Sequence, residues 1–243
     1  MITVRPSHTR GQSKWSWLDS KHTFSFGRYI DRNHVSFRSL RVINDDIVAA
    51  GKGFEPHPHE DMEIISYVVS GRLAHKDRME NGSQHAHESG AGSVQVMSAG
   101  RGVTHSEFNP SPTERVHFLQ IWIMPDRQRV APRYQQTHFG DAEKRGRLRL
   151  IISPDAAEGS LGVYQDAHVY AGLFDGAERA EFVLPANRHA YVHVARGNLR
   201  INGMAMSEGD GARIREGGKL VFDGGNDAEV LLFDLRPLEL PGR

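Results

Sequence analysis

Three imidazoles and two carboxylates fall into two short repeats whose spacing could gather a metal ion. They are His57-Pro58-His59, followed by Glu63, and His105-Ser106-Glu107 about forty residues later. A β-strand sends alternate side chains to one face. His57 and His59 would then point the same way, and so would His105 and Glu107. Two such strands lying close together would bring four ligands onto one ion. Cysteine is absent. That removes disulfides, thiolate catalysis and cysteine-based zinc or iron–sulfur sites together. Any metal must rest on nitrogen and oxygen.

With 14 histidines in the chain, an isolated His-x-His is weak evidence of a site. The chain carries its own control in His85-x-His87, set among Asn81, Gly82, Ser83 and Gln84. No carboxylate-bearing strand accompanies that pair, and a solvated loop is the better reading. His57-x-His59-x3-Glu63 differs by its context. It has turn glycines on both sides (Gly51 and Gly71) and a strong strand after it, Ile64 to Val69. Gly100-Arg101-Gly102-Val103-Thr104-His105 supplies the second ligand-bearing turn and strand. The competing reading is a set of surface histidines on the rim of a β-barrel. His189-x-Tyr191-x-His193 reads as strand-face packing, and His117 has no clear pairing. Met97, Phe118 and Trp122 are assigned to the core.

The elements that must position these groups are β-strands. The chain has 243 residues, 25 of them Gly and 11 Pro, and long helical patterns are scarce. This fits a β-rich chain with many tight turns. Residues 1 to 20 read as an arm laid over a barrel, with Trp15 and Trp17 alternating. Thr23 to Phe26 alternates as a half-buried strand does. Residues 77 to 92 read as an exposed polar loop. Phe118 to Met124 reads as a strand closed by Pro125. Residues 126 to 146 read as a linker with a short helix. Strands return at Val192 to Val194, Leu199 to Ile201 and Val230 to Leu235.

The halves read as repeats. Val68-Val69-Ser70-Gly71-Arg72-Leu73 parallels Val194-Ala195-Arg196-Gly197-Asn198-Leu199, and each half closes on an apolar strand before a proline (Pro125, Pro237). Counting from these landmarks sets His57 opposite Val183, His59 opposite Pro185 and Glu63 opposite His189. It also sets His105 opposite Gly217 and Glu107 opposite Lys219. The second copy therefore lacks a ligand set.

Lys+Arg and Asp+Glu each number 30. No basic footprint for nucleic acid stands out, and no stretch is long and apolar enough to span a bilayer. The expectation is a cytoplasmic protein without nucleic-acid or membrane partners.

Both ligand blocks resemble the two cupin motifs. The fuller strings resemble the pirin family: Phe24-Ser25-Phe26-Gly27, Leu40 to Asp46, His57-Pro58-His59-Glu60-Asp61-Met62-Glu63, and Ser98 to Asn109. The nearest resemblance is to its bacterial quercetin 2,3-dioxygenases. It implies an all-β bicupin, two antiparallel jelly-roll barrels packed together. The expected boundaries are 1–125 for a metal-binding domain, 126–146 for the linker and 147–243 for a domain without metal ligands. Carried over, the metal ligands are His57, His59, His105 and Glu107. Glu63 is then an outer or alternative ligand, and Glu107 or Glu63 is the catalytic base. The implied cofactor is one divalent transition metal, Fe(II) first, with Ni, Co, Cu, Mn and Zn as other candidates. The implied reaction opens a flavonol such as quercetin with O2 and releases carbon monoxide. The alternatives are a metal- and redox-sensing regulator that binds a protein partner, and a cupin isomerase.

Overall fold

The computed structural model describes residues 2–79 and 84–237, and the side chains of Met79, Gln84 and His85 lie outside the described residues. The architecture is all-β. Among the described residues, one helix of four residues, Asp141–Lys144, and two short 3-10 turns interrupt the strands. Among the described residues, pairing between strands is antiparallel except between Leu148–Ser153 and Leu161–Gly162.

The first half is a sandwich of two sheets. Its larger sheet has seven strands in the order Arg133–His138, Ser93–Ser98, Glu63–Ser70, Val116–Ile123, Leu40–Val48, Leu18–His22 and Gly11–Lys14. Its smaller sheet has four: Gly53–His59, Val103–Phe108, Arg72–Met79 and Gln84–Gly90. The second half, joined by Ile2–Arg5, forms one nine-stranded sheet built around the long strands His189–Ile201 and Gly218–Leu235.

Strand alternation decides what each side of the seven-stranded sheet meets. Ile65, Tyr67 and Val69 join Ile43, Leu119 and Ile121 in a core shared with Tyr191, Leu231 and Phe233 of the second half. The intervening positions, Ile64, Ser66 and Val68, face the interior of the first sandwich. There Ile64 packs with Met97, and Val68 with Phe118. Burying a large side chain contributes roughly 1.5–3 kcal/mol, so the shared core welds the halves together.

Several segments differ from the sequence reading. Residues 77 to 92, expected as a loop, are largely the hairpin Arg72–Met79 and Gln84–Gly90, with His75 opposite His87. Their inner face is built from polar residues, so no hydrophobic alternation announces them. The segment 126–146 contains the expected helix, and it also supplies strand Arg133–His138 to the seven-stranded sheet. At the N-terminus, Ile2–Arg5 pairs with Gly211–Ile214 of the second half, so the first residues of the arm cross to the other sheet. Thr23 to Phe26 is a buried turn segment following strand Leu18–His22.

Candidate metal centre

Strand Gly53–His59 pairs with Val103–Phe108 so that His57 lies directly opposite His105 and Val103 opposite His59. Directly opposed residues share a face, and three imidazoles converge. Their ring centroids stand 4.4 Å (His57–His105), 4.8 Å (His57–His59) and 4.9 Å (His59–His105) apart. Candidate ligand nitrogens of all three lie within 4.8 Å of one another. A glycine permits the approach of the two strands beyond this cluster. A Cβ on Gly53 would collide with the backbone of Glu107 and Phe108.

Hydrogen bonding selects the nitrogen that each ring can offer. His57 Nδ1 lies 2.8 Å from the Glu55 carbonyl, and a carbonyl can only accept, so Nδ1 carries the proton and Nε2 the lone pair. His105 Nδ1 lies 2.9 Å from His75 Nε2. His105 Nε2 and His59 Nε2 are buried without a partner. Leaving two buried ring nitrogens unpaired is costly, and a cation at their convergence satisfies both. These residues fit a divalent transition metal held through imidazole nitrogen. Burial, with the neighbouring imidazoles adding to it, lowers the His105 pKa to about 2. Burial and His57 lower that of His59 to about 4. Both rings are therefore neutral at physiological pH, the form that ligates a metal.

Glu107 follows a register irregularity after His105. Its carboxylate is buried and accepts hydrogen bonds from Ser66 Oγ and Gln120 Nε2, both at 2.8 Å. These two bonds hold it against the seven-stranded sheet, and it does not join the close cluster of three nitrogens. Glu63 sits elsewhere. Its Oε2 accepts from Ser98 Oγ at 2.8 Å, and the Tyr164 backbone and Arg133 lie on the same side. Burial pushes its pKa up to about 7. It alternates with Ile64 and so faces the second half, away from the histidines.

Three contributors escaped the sequence reading. His75 is buried and links His105 to Asp77, whose Oδ1 lies 3.8 Å from His75 Nδ1. With a cation on His105 Nε2, the His105 Nδ1 proton is donated to His75. Such outer partners fix a ligand's tautomer and ring orientation. The available signal was the alternation His75-x-Asp77, one strand over from His105-x-Glu107. The third is Trp122, assigned to the core, whose ring meets His59 edge-on at 5.0 Å. Met97 and Phe118 are buried core residues, as expected. His87 stacks on Tyr134 at 4.5 Å, and His75 covers Tyr134 at 5.1 Å. The expectation for His85 concerns a side chain outside the described residues.

A cavity of about 380 Å3 adjoins His57 and His59. Trp15, Trp17, Phe26, Phe54 and Trp122 contribute aromatic walls, while Asn44, Asp46 and Gln120 line it with polar groups. Burial raises the Asp46 pKa to about 7, with Asp45 and Glu107 adding to the rise.

Two stacked antiparallel halves with a three-histidine centre in the first define a two-domain cupin. The chain belongs to the pirin family. Residues 3–123 match the family described as pirin, and residues 150–235 match that described as quercetinase C-terminal cupin domain. The quercetin 2,3-dioxygenase of Escherichia coli (strain K12) is 45% identical over 98% of this chain and 100% of its own length. A pirin-like protein of Caulobacter vibrioides is 36% identical over 96% of this chain and 99% of its own. The crystal structure of the bacterial pirin YhhW from Escherichia coli in complex with nickel(II) superposes with a TM-score of 0.90. It is 44% identical, covering 98% of this chain and 100% of that one. Among the described residues, no helix is long and apolar enough to cross a membrane.

Proposed function

We propose that this chain is a metal-dependent dioxygenase that opens the central ring of a flavonol such as quercetin with O2 and releases carbon monoxide. One observation carries the reading: unpartnered imidazole nitrogens converge beside an aromatic-walled cavity whose lining residue Gln120 holds the Glu107 carboxylate. The names of the full-length relatives support the same chemistry.

His57, His59 and His105 hold the metal, with Glu107 as the carboxylate of the set. Fe(II) is the expectation that the pirin resemblance supplies, and nickel is the ion in the solved relative. When bound, the ion supplies Lewis acidity to a chelating hydroxyl beside a carbonyl. Glu107 takes the 3-hydroxyl proton of the flavonol. Ser66 and Gln120 keep its oxygens aimed while it does so, which avoids reorganisation during reaction. Trp122, Phe54 and Phe26 hold the planar rings and exclude water. His75 and Asp77 keep His105 in its ligating tautomer. Glu63 acts between the halves and takes no part in proton transfer.

The test is aerobic incubation of metal-reconstituted protein with quercetin, assayed for carbon monoxide. The expected result is carbon monoxide in step with quercetin loss. Quercetin loss without carbon monoxide is autoxidation and overturns the reading.

A further inference from the structure

The wall of the cavity carries a polar strip of which the chemistry above uses only Gln120. Strands Leu18–His22, Leu40–Val48 and Val116–Ile123 run side by side. Ser20 lies opposite Asp46, and His22 opposite Asn44, which in turn lies opposite Gln120. These five side chains all line the cavity. Most of the strip is already engaged. Gln120 donates to Glu107, and Asn44 Oδ1 meets His22 Nδ1 at 2.8 Å. His22 Nε2 is in turn 2.9 Å from Ser13 Oγ. Asp46 differs. It is 2% exposed, Ser20 is its hydrogen-bonding neighbour, and its Oδ1 is buried without a partner.

A buried carboxyl oxygen left unpaired costs on the order of 1–3 kcal/mol or more. Proteins retain such a group where a ligand completes it. The aromatic walls select a flat ring, and a carboxyl beside them selects a hydroxyl on that ring. We propose that Asp46 is a specificity-determining residue: its free oxygen accepts a hydrogen bond from a ring hydroxyl of the substrate other than the chelating one. The site therefore prefers polyhydroxylated aromatic chelators over bare ones. The inference rests on the functional reading above for the kind of ligand that enters the cavity.

The experiment compares two ligands with the same chelating 3-hydroxyl and 4-carbonyl. Quercetin carries further ring hydroxyls, and 3-hydroxyflavone carries none. Anaerobic titration of nickel(II)-loaded protein, read by the flavonol absorbance shift, gives the affinity ratio. The same titration on metal-free protein, read by quenching of tryptophan fluorescence, gives it without chelation. The wild-type protein favours quercetin by roughly tenfold or more, the scale of a hydrogen bond to a carboxylate. Asp46→Asn keeps the shape of the side chain and lowers that ratio about threefold, because a neutral acceptor binds a hydroxyl less tightly. Asp46→Leu lowers it about tenfold and leaves 3-hydroxyflavone binding unchanged. A ratio unchanged in Asp46→Asn, or equal weakening of both ligands in either variant, overturns the proposal. Failure of the wild-type protein to release carbon monoxide refutes the dioxygenase reading instead, and the binding ratio still decides Asp46 by itself.

Discussion

The two halves place equivalent strand pairs at equivalent positions and fill them in opposite ways. In the first half, Gly53–His59 and Val103–Phe108 set His57 against His105 beside a cavity. In the second, Ala180–Leu184 and the start of Gly218–Leu235 set Val183 against Lys219, Phe182 against Leu220 and Ala180 against Phe222. Leu184, Leu220 and Phe222 are packed into an aliphatic and aromatic core, and Phe222 stacks on Phe174 at 5.9 Å. One sandwich keeps a hollow with unpaired polar groups, which costs stability. The second half fills the corresponding place with packed side chains and contributes Tyr191, Leu231 and Phe233 to the shared core behind the hollow. The fold is thus neutral towards chemistry. The chemistry lies in which half forgoes its core.

That contrast breaks most sharply in the half whose strand pair is filled by packed side chains. Phe222 is fully buried, and Phe222→Ala is expected to cost about 3–5 kcal/mol, read as a shift in the denaturant midpoint. The folded fraction keeps its metal. Metal loss at full folding would show that the second half shapes the site directly. The reverse substitution in the hollow half is His59→Ala. It lowers metal affinity by more than about 100-fold, beyond the usual effect of losing an outer partner. The unfolding midpoint of the metal-free protein moves by no more than a few degrees. Metal analysis after gel filtration checks it, and unchanged content would remove His59 from the ligand set.

The three histidines were legible because a period of two is a property of any strand, whichever fold contains it. The carboxylate was harder. His59 and Glu63 are separated by Asp61, whose φ of 46° puts it in the left-handed region. That turn resets the face of the chain, so counting from His59 says nothing about where Glu63 points. Glu107 stays on its strand, two residues from His105, and its carboxylate reaches Gln120 of the cavity wall. His75 and Asp77 alternate with Lys76 and Arg78, a run that reads as a charged loop until its neighbours are known. Trp122 lies in an apolar strand, and no local signal separates an aromatic that lines a cavity from one in the core. The strand at 133–138 was hidden for the same reason as the hairpin, since it has no aliphatic face.

The position of Glu63 between the halves gives a test of how they are joined. Burial raises its pKa to about 7, above the ordinary glutamate value of 4.5. The folded state therefore binds this proton more tightly than the unfolded one. Its contribution is fully present below the unfolded pKa and is lost as pH rises through the folded one. Between about pH 5 and 7 the loss amounts to roughly 2 kcal/mol. Glu63→Gln cannot ionise, so the wild-type protein should lose about that much more stability than the variant over this interval. Asp46 shifts in the same direction, but it is common to both proteins and cancels in the difference. Parallel stability curves would mean that Glu63 is solvated at the seam between the halves.

The smallest expected effect concerns the hairpin that lengthens the first half. His87 lies flat on Tyr134, with ring planes 7° apart, and His75 covers Tyr134 with planes 9° apart. His87 meets the metal system through that stack and through His75, its cross-strand neighbour. Loss of the stack in His87→Ala should cost about 1 kcal/mol, the scale of an aromatic contact, and leave metal content unchanged. A variant that keeps its stability but loses metal would reverse the assignment. The hairpin would then press His75 onto His105 through Tyr134, and the hollow half would owe its ligand geometry to an element with polar residues on its inner face. An unchanged metal content confines the site to the two strands that carry the three histidines and to the outer partners of His105.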